Sequence, residues 1–382
     1  MRRSTLRAAV VAVTAGLALT ACGGSGGGSG SGSSGSANAA TATSAKALGG
    51  MDALVKAAKK EGTLNVIALP PDWANYGAML KAFSDKYGIK INSALPDGSS
   101  SDELNAVTSQ KGQDRAPDVL DVGASFALQA AAQNLTAPYQ VATWGDIPDN
   151  QKDPKGNWYN DYGGFISIGC NTQKVKVCPK SFKEMLDPQY AKQVALNGNP
   201  TKAAAAFSGV WAASLANGGS LDDIGKGIDF FVKLKKGGNF NPVEITPATV
   251  QSGETPISID WDYANLGQVD TLKKAGVTFE VNVPTDGVFG SYYNQAISKF
   301  APHPAAARLW EEFLYSDEGQ NIWLQGHSRP VRLDAMKKAG TADAAALKAL
   351  PEVSGSVEFP TQAQQTAAQK VVADRWNAEM SG

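Results

Sequence analysis

Short runs of β-branched residues alternate along this chain with segments whose apolar residues recur every three or four positions. The first run, residues 63–69, has the composition of a strand, and the stripe after it predicts a helix over residues 75–87 that ends at Gly88. The alternation continues with strands at 89–94 and 119–122 and with helices at 102–110 and from about Ser125. Strands that alternate with helices indicate an α/β fold.

The same alternation starts afresh in the middle of the chain. It predicts strands at 165–169, 194–197, 256–260 and 277–283, and helices at 181–186, 203–216, about 221–232 and 263–274. Because these segments have apolar stripes of their own, they predict a second lobe with its own core.

The last part of the chain returns to the first pattern, with a strand at 292–298 and helices opened by Pro304 and Ser316. The domain boundaries that follow are a first lobe over 47–164, a second lobe over 165–284, and a return to the first lobe with C-terminal helices over 285–382. Two crossings between lobes form a hinge, and a hinge creates a cleft.

The N-terminus has the parts of a secretory signal. Three arginines precede a dozen apolar residues, and Leu19-Thr20-Ala21-Cys22 follows. This run is shorter than the roughly 20 residues of a membrane-spanning helix, so residues 1–22 are interpreted as a lipoprotein signal peptide with a lipobox. Cys22 is the predicted lipidation site, and residues 23–46, rich in Gly and Ser, are a predicted flexible tether. We expect an extracytoplasmic protein held on the outer face of the cell membrane by its lipid anchor alone.

Charge and cysteine content narrow the class of protein. The chain has 35 Lys and Arg against 36 Asp and Glu. Without the three arginines of the signal the formal charge is −4, and a mildly acidic chain without basic runs argues against a nucleic-acid partner. Cys170 and Cys178 are eight positions apart, and an even pair in an exported chain predicts a disulfide, with two free buried thiols as the alternative.

Three segments carry a family resemblance: residues 54–64, residues 194–200, and Ala301-Pro302-His303-Pro304 taken with Ser316-Asp317-Glu318-Gly319-Gln320. They resemble the ABC-transporter solute-binding proteins of the type II periplasmic-binding-protein family, in the group of polyamine, ferric-ion and phosphonate receptors. The resemblance implies a two-lobe α/β fold that captures a small solute in its cleft, closes on it, and passes it to a permease with ATPase subunits. We expect a monomer that needs no cofactor and no metal.

The residues most suggestive of a ligand site follow predicted strands, because the carboxyl ends of strands face the ligand crevice in open α/β sheets. Asp260, Trp261, Asp262 and Tyr263 combine two acids with two large aromatic rings. Carboxylates attract an ammonium group, and an aromatic face adds about 0.5–2 kcal/mol by cation–π contact. Asp72 and Trp73 repeat the combination and are predicted to form the opposite wall. Helix capping by an acid and packing of an indole are the structural alternatives at both places.

Other candidates depend on the lobe assignment. Ser125 lies at a strand-to-helix turn, where a hydroxyl and free backbone N–H groups suit a polar or anionic group. Asn199 and Thr201 follow a strand of the second lobe, whereas Tyr162 and Tyr292 lie at the two crossovers. Because neighbouring residues of a strand face opposite ways, only one of Tyr292 and Tyr293 is able to line the cleft, and we expect Tyr292.

These features favour a receptor for a small amine or polyamine over an enzyme. Neither His303 nor His327 has a partner at metal-ligand spacing, and no phosphate-binding G-x-x-x-x-G-K-[ST] occurs. A ferric-ion or phosphonate receptor of the same fold is the alternative, and an exported two-lobe hydrolase is the alternative of another class.

Overall fold

The computed structural model describes residues 38–351, 353 and 359–381. The signal peptide, Cys22 and the tether as far as residue 37 lie outside the described residues. The strands are β1 Thr63–Ile67, β2 Lys90–Ala94, β3 Val119–Gly123, β4 Thr136–Ala137, β5 Tyr159–Asn171, β6 Val194–Leu196, β7 Ile257–Trp261, β8 Phe279–Asn282, β9 Gly290–Ser298 and β10 Arg329–Pro330.

The helices share the alternation that the sequence predicts. They are α1 Met51–Glu61, α2 Tyr76–Tyr87, α3 Ser100–Ser109, α4 Ala124–Ala132, α5 Ala204–Ala216, α6 Gly225–Lys236, α7 Pro247–Ser252, α8 Asp262–Lys274, α9 Pro304–Leu314, α10 Asp317–Gln325, α11 Leu333–Ala339, α12 Ala344–Ala349 and α13 Gln362–Met380. Helix α2 ends at Gly88, whose φ of 67° lies in the left-handed region that glycine adopts without a steric penalty. The α/β fold class is therefore confirmed.

Strand β5 joins two groups of strands. Its first part pairs antiparallel with β9 and β10, between Tyr159 and Phe165. Its second part pairs with β7 and β8, between Ile166 and Asn171. We call the part built around β1 to β4, β9 and β10 the first lobe and the part built around β6, β7 and β8 the second lobe. Strand β9 is the second crossing, because it runs from Gly290 beside β5 to Ser298 beside β4.

Each lobe has a packed interior. In the first lobe Phe83 of α2 meets the indole of Trp310 of α9 edge-on, with ring centroids 5.1 Å apart. In the second lobe α5 is apolar on all sides, so it is buried between the sheet and α6, and Trp211 at its centre is fully buried. Both interiors belong to one continuous cluster of buried side chains that passes through the crossing strands.

Residues 38–48 are part of the folded domain, so the predicted tether over residues 23–46 is too long at its C-terminal end. Ala42 and Ala45 are buried, and the Arg308 guanidinium donates hydrogen bonds to the carbonyls of Ala40 and Ala42, at 3.1 and 2.7 Å. Small alanines suit this close packing, and their composition alone does not distinguish it from a flexible linker. In the described part of the chain, no helix has both the length and the apolar character that crossing a membrane requires.

Helix α13 packs against both lobes. It lies against α4 of the first lobe and α6 of the second. Near its middle Gln369 donates to Gln129 of α4 at 3.4 Å, and nearer its end Arg375 forms an ion pair with Asp229 of α6 at 2.7 Å. The C-terminal helix therefore connects the lobes independently of β5 and β9.

Candidate functional site

A cavity of about 980 Å³ lies where strands of the two lobes end. The first lobe contributes residues after β1 and at the ends of β2 and β3, and the second lobe contributes the ends of β6 and β7 and the segment 240–247. Six carboxylate side chains line the cavity, against the two lysines Lys202 and Lys235; they are Asp72, Asp97, Glu103, Asp121, Glu244 and Asp260. The lining is therefore acidic.

Asp260 is the buried acid of the second lobe. Its side chain is 2% exposed at the end of β7, accepts a hydrogen bond from Asn197 Nδ2 at 2.8 Å, and accepts another from the backbone N–H of Trp261 at 2.7 Å. Burial raises the pKa of Asp260 to about 7, although these two hydrogen bonds oppose the shift. Among the described residues no Lys, Arg or His forms an ion pair with it.

Asp121 is the corresponding acid of the first lobe. It is 6% exposed in β3, and its Oδ2 accepts a hydrogen bond from the Tyr162 hydroxyl at 2.8 Å. That hydroxyl in turn accepts one from Trp73 Nε1 at 2.8 Å. Burial raises the pKa of Asp121 to about 6, against the hydrogen bond from Tyr162. Its second oxygen, Oδ1, is fully buried and has no hydrogen-bond partner among the described residues. The buried Asp161 is its acidic neighbour, and burial together with the charge of Asp121 raises the pKa of Asp161.

Aromatic rings cover the inner side of the cavity. Trp73 and Tyr293 both line it and meet edge-on, with ring centroids 5.7 Å apart. Tyr162 stacks on Tyr293 at 5.6 Å, and Tyr263 stands edge-on to Trp73 at 5.4 Å. Two carboxylates beside these rings provide the groups that stabilise a desolvated ammonium.

Four of the sequence-predicted residues line the cavity: Asp72, Trp73, Asn199 and Asp260. Asp72 is exposed at the rim. Asn199 also accepts hydrogen bonds from the backbone N–H and the hydroxyl of Thr201, at 2.9 and 2.8 Å, so Thr201 itself lies behind the lining.

The remaining predicted residues lie off the lining. Asp262 forms an ion pair with Arg329 at 2.6 Å, and Trp261 is buried in contact with Tyr263, because adjacent strand residues point to opposite sides. Tyr263 and Tyr162 are buried behind Trp73, where they support the wall. Ser125 is buried in the first turn of α4.

The structure differs from the prediction that Tyr292, and not Tyr293, lines the cleft. Tyr293 is on the cavity wall, whereas Tyr292 points to the opposite face of β9 and packs on Phe359, with ring centroids 5.5 Å apart. The alternation rule gives one tyrosine for each face but does not say which face is the cleft.

Several residues that line the cavity are not among the sequence-predicted ones, and the most important are Asp121 and Glu103. Asp121 interrupts the apolar run Val119-Leu120-Asp121-Val122, and an acid inside a buried strand is a usable signal. Glu103 accepts a hydrogen bond from the Asp121 backbone N–H at 2.9 Å, and burial, together with the charge of Asp121, raises its pKa.

Residues 114–352 match the family model described as bacterial extracellular solute-binding protein. Three solved structures are similar in fold at 18–21% sequence identity. The periplasmic binding protein AfuA of Actinobacillus pleuropneumoniae, with fructose 6-phosphate bound, has a TM-score of 0.66 at 20% identity, over 84% of this chain and 99% of that one. Iron-bound HitA of Pseudomonas aeruginosa has a TM-score of 0.60 at 21% identity, over 81% and 97%.

The third structure is the Atu4243-GABA receptor, with a TM-score of 0.61 at 18% identity, over 83% of this chain and 97% of that one. These proteins are binding proteins and not enzymes, and their fold has two lobes. At this level of identity the likeness establishes the fold and not the ligand.

Proposed function

This chain belongs to the family of bacterial extracellular solute-binding proteins, and we propose that it captures a small amine outside the cell membrane and delivers it to an ABC importer. The observation that carries the choice of ligand is the convergence of Asp121 and Asp260, one from each lobe, on a cavity lined by Trp73 and Tyr293. A buried carboxylate without a cationic partner is costly. An ammonium group between the two carboxylates would be attracted by both and would offset one of their two negative charges.

A phosphate- or phosphonate-bearing solute is the second candidate. Lys202 lines the cavity beside the first turn of α5, whose N-cap residue Ala203 makes no side-chain capping hydrogen bond. Free backbone N–H groups at a helix start favour an anion. The acidic lining opposes this candidate, since Asp121 and Asp260 would repel the anion.

A ferric-ion receptor is the remaining alternative of the same fold. Of the two adjacent tyrosines only Tyr293 lines the cavity. In the described part of the chain no three His, Cys, Asp or Glu side chains are grouped so as to hold a metal ion.

The test is calorimetric titration of the full-length protein with putrescine, spermidine, γ-aminobutyrate, 2-aminoethylphosphonate, fructose 6-phosphate and ferric citrate. We expect an amine to bind and Asp260→Asn to weaken it at least tenfold. The matched control is Asp270→Asn, because Asp270 is an exposed acid of α8 that does not line the cavity. Tight binding of an anion or iron with no response to any amine would reject the amine assignment.

Anchoring by Cys22 is a second part of the proposal. The signal and lipobox of residues 1–22 support it, because they predict that Cys22 becomes the lipidated N-terminus. Metabolic labelling with a fatty acid is expected to mark the parent protein and not the Cys22→Ser variant. Labelling of both proteins, or of neither, would refute lipidation at this residue.

A further inference from the structure

The cavity has an acidic wall, formed by Asp121 and Asp260 with Trp73 and Tyr293, and an apolar wall. The side chains of the apolar wall come from the segment that follows α6 and from the end of α13; they are Phe240, Pro242, Val243, Ile245, Trp376 and Met380. Two charged residues, Lys235 and Glu244, line the same part of the cavity. The simple amines considered above would use the acidic wall alone. The apolar wall therefore requires its own explanation.

The two walls are separated by one strand. Asp260 is the residue before the last of β7. Strand β6 pairs with β7, and the segment from Phe240 runs parallel to β6, with a bridge between Val194 and Phe240. Neighbouring strands are about 4.8 Å apart, so the apolar wall lies roughly 10 Å from the strand that carries Asp260. A short amine held at Asp260 does not reach it.

Trp376 is held firmly in the apolar wall. Its ring stands edge-on to Phe231 of α6 at 5.4 Å, and Phe240 meets the same Phe231 ring at 5.8 Å. One residue earlier in α13, Arg375 pairs with Asp229 of α6 at 2.7 Å. The Lys235 ammonium donates to the carbonyl of Met380 at the end of the helix. The helix thus presents an indole to the cavity in a fixed position.

We propose that the ligand is an amine with an extended apolar body, whose ammonium group binds Asp121 and Asp260 while its hydrocarbon part lies against Trp376, Phe240 and Ile245. This inference rests on the proposed function and names the ligand class of the same site. A cavity of about 980 Å³ is at the upper end of the range for drug-sized ligands, which a short diamine does not fill. Water against the apolar wall would be displaced by the hydrocarbon part.

The experiment titrates the full-length protein with linear monoamines from propylamine to octylamine. Once the chain is long enough to reach the apolar wall, Kd is expected to fall about three- to fourfold for each added methylene. In Trp376→Ala this dependence on chain length should be largely lost while propylamine binding is unchanged. Val372→Ala is the matched control, because Val372 is buried on the same helix but does not line the cavity, and it should keep the dependence.

A second pair of ligands tests the inference in a way that does not depend on the folding of Trp376→Ala. Octylamine and 1,8-diaminooctane share one chain, but the diamine carries its second charge to the apolar wall. In Glu244→Gln, which removes the carboxylate of that segment, octylamine should bind at least tenfold more tightly than the diamine. Tighter binding of the diamine by this variant, or a Kd that does not change with chain length although propylamine binding needs Asp260, would overturn this inference alone. If no amine binds at all, the proposed function fails, and this inference with it.

Discussion

The guanidinium of Arg329 donates to the Asp262 carboxylate at 2.6 Å, beside the strand that joins the two lobes. Asp262 is fully buried and Arg329 is 15% exposed. The backbone N–H groups of Phe165 and Tyr263 also donate to Asp262, at 3.0 and 2.9 Å. Two positions earlier, Asp260 is nearly as buried, but within the described part of the chain it forms no ion pair with a cation. Of these two acids, Asp262 therefore stabilises the junction between the lobes, and Asp260 is the one with charge left for a ligand.

Removing Arg329 should destabilise the protein strongly. Arg329→Met leaves the Asp262 carboxylate buried without its cation, which costs about 3–5 kcal/mol of the free energy of unfolding. Urea denaturation at pH 7 measures the loss. Lys337→Met is the control, because its pairing with Asp334 at 3.9 Å is exposed and contributes about 0–1 kcal/mol. Equal losses in the two variants would contradict a special role for the buried pair.

The sequence predicts the elements well, because periodicity is a local property of the chain. Asp260 through Tyr263 are adjacent in sequence, so local reasoning treats them as one cluster. The fold separates them, since β7 ends at Trp261 and α8 begins at Asp262. Arg329, the ion-pair partner of Asp262, is 67 positions away, and no local sequence pattern predicts this pairing.

The sequence pattern also does not predict the residues that the C-terminal helix α13 contributes to the cavity. Helix α13 carries Trp376 to the second lobe, but it also lies against α4 of the first lobe. Periodicity predicts that a helix exists and not which elements it bridges. The acid at Asp121 was a readable signal, because a carboxylate inside an apolar strand needs a reason to be buried there.

Amine binding should weaken as the pH falls below 7. The free protein holds a proton on Asp260 below a pKa of about 7 and on Asp121 below about 6, and an ammonium group requires both carboxylates to be ionised. The protons on Asp260 and Asp121 must leave on binding, so Kd should rise about tenfold between pH 7 and 6, and more steeply below. Titrations in two buffers of different ionisation enthalpy measure the released protons. A Kd that stays constant from pH 8 to 5 would be inconsistent with these carboxylates as the site.

Stability without ligand should show the opposite trend. The folded-state pKa of Asp260, about 7, is above its unfolded value, so its contribution to stability is complete below about pH 4 and is lost as the pH rises through 7. Asp260→Asn removes that loss, and we expect the variant to melt at a higher temperature than the parent at pH 8 but not at pH 5. Melting curves of both proteins at both pH values provide the comparison. A variant that is less stable than the parent at pH 8 would refute burial as the cause of the shift.

Cys170 and Cys178 are placed for a disulfide, with Cα atoms 5.9 Å apart at the end of β5. Closing so short a loop restricts the unfolded chain by about 2–3 kcal/mol. We expect intact mass to increase by two alkyl groups only after reduction, and the midpoint of denaturation to fall in Cys170→Ala, Cys178→Ala. Two thiols that react without reductant would exclude the bond in the isolated protein.

Ligand should close the cleft because of the charges that face it. Trp73 of the first lobe and Tyr263 of the second are in ring contact, and the backbone N–H of Ser101 donates to the carbonyl of Lys202 across the lobes at 3.3 Å. Without a cation at pH 8, Asp121 and Asp260 are like charges that oppose this approach; an ammonium group attracts both and favours the closed state. Solution X-ray scattering of the full-length protein is therefore expected to give a smaller radius of gyration at saturating amine, whereas Asp260→Asn, with one of the two attractions removed, should respond less. A parent protein whose scattering is the same with and without bound amine would rule out closure as the consequence of binding.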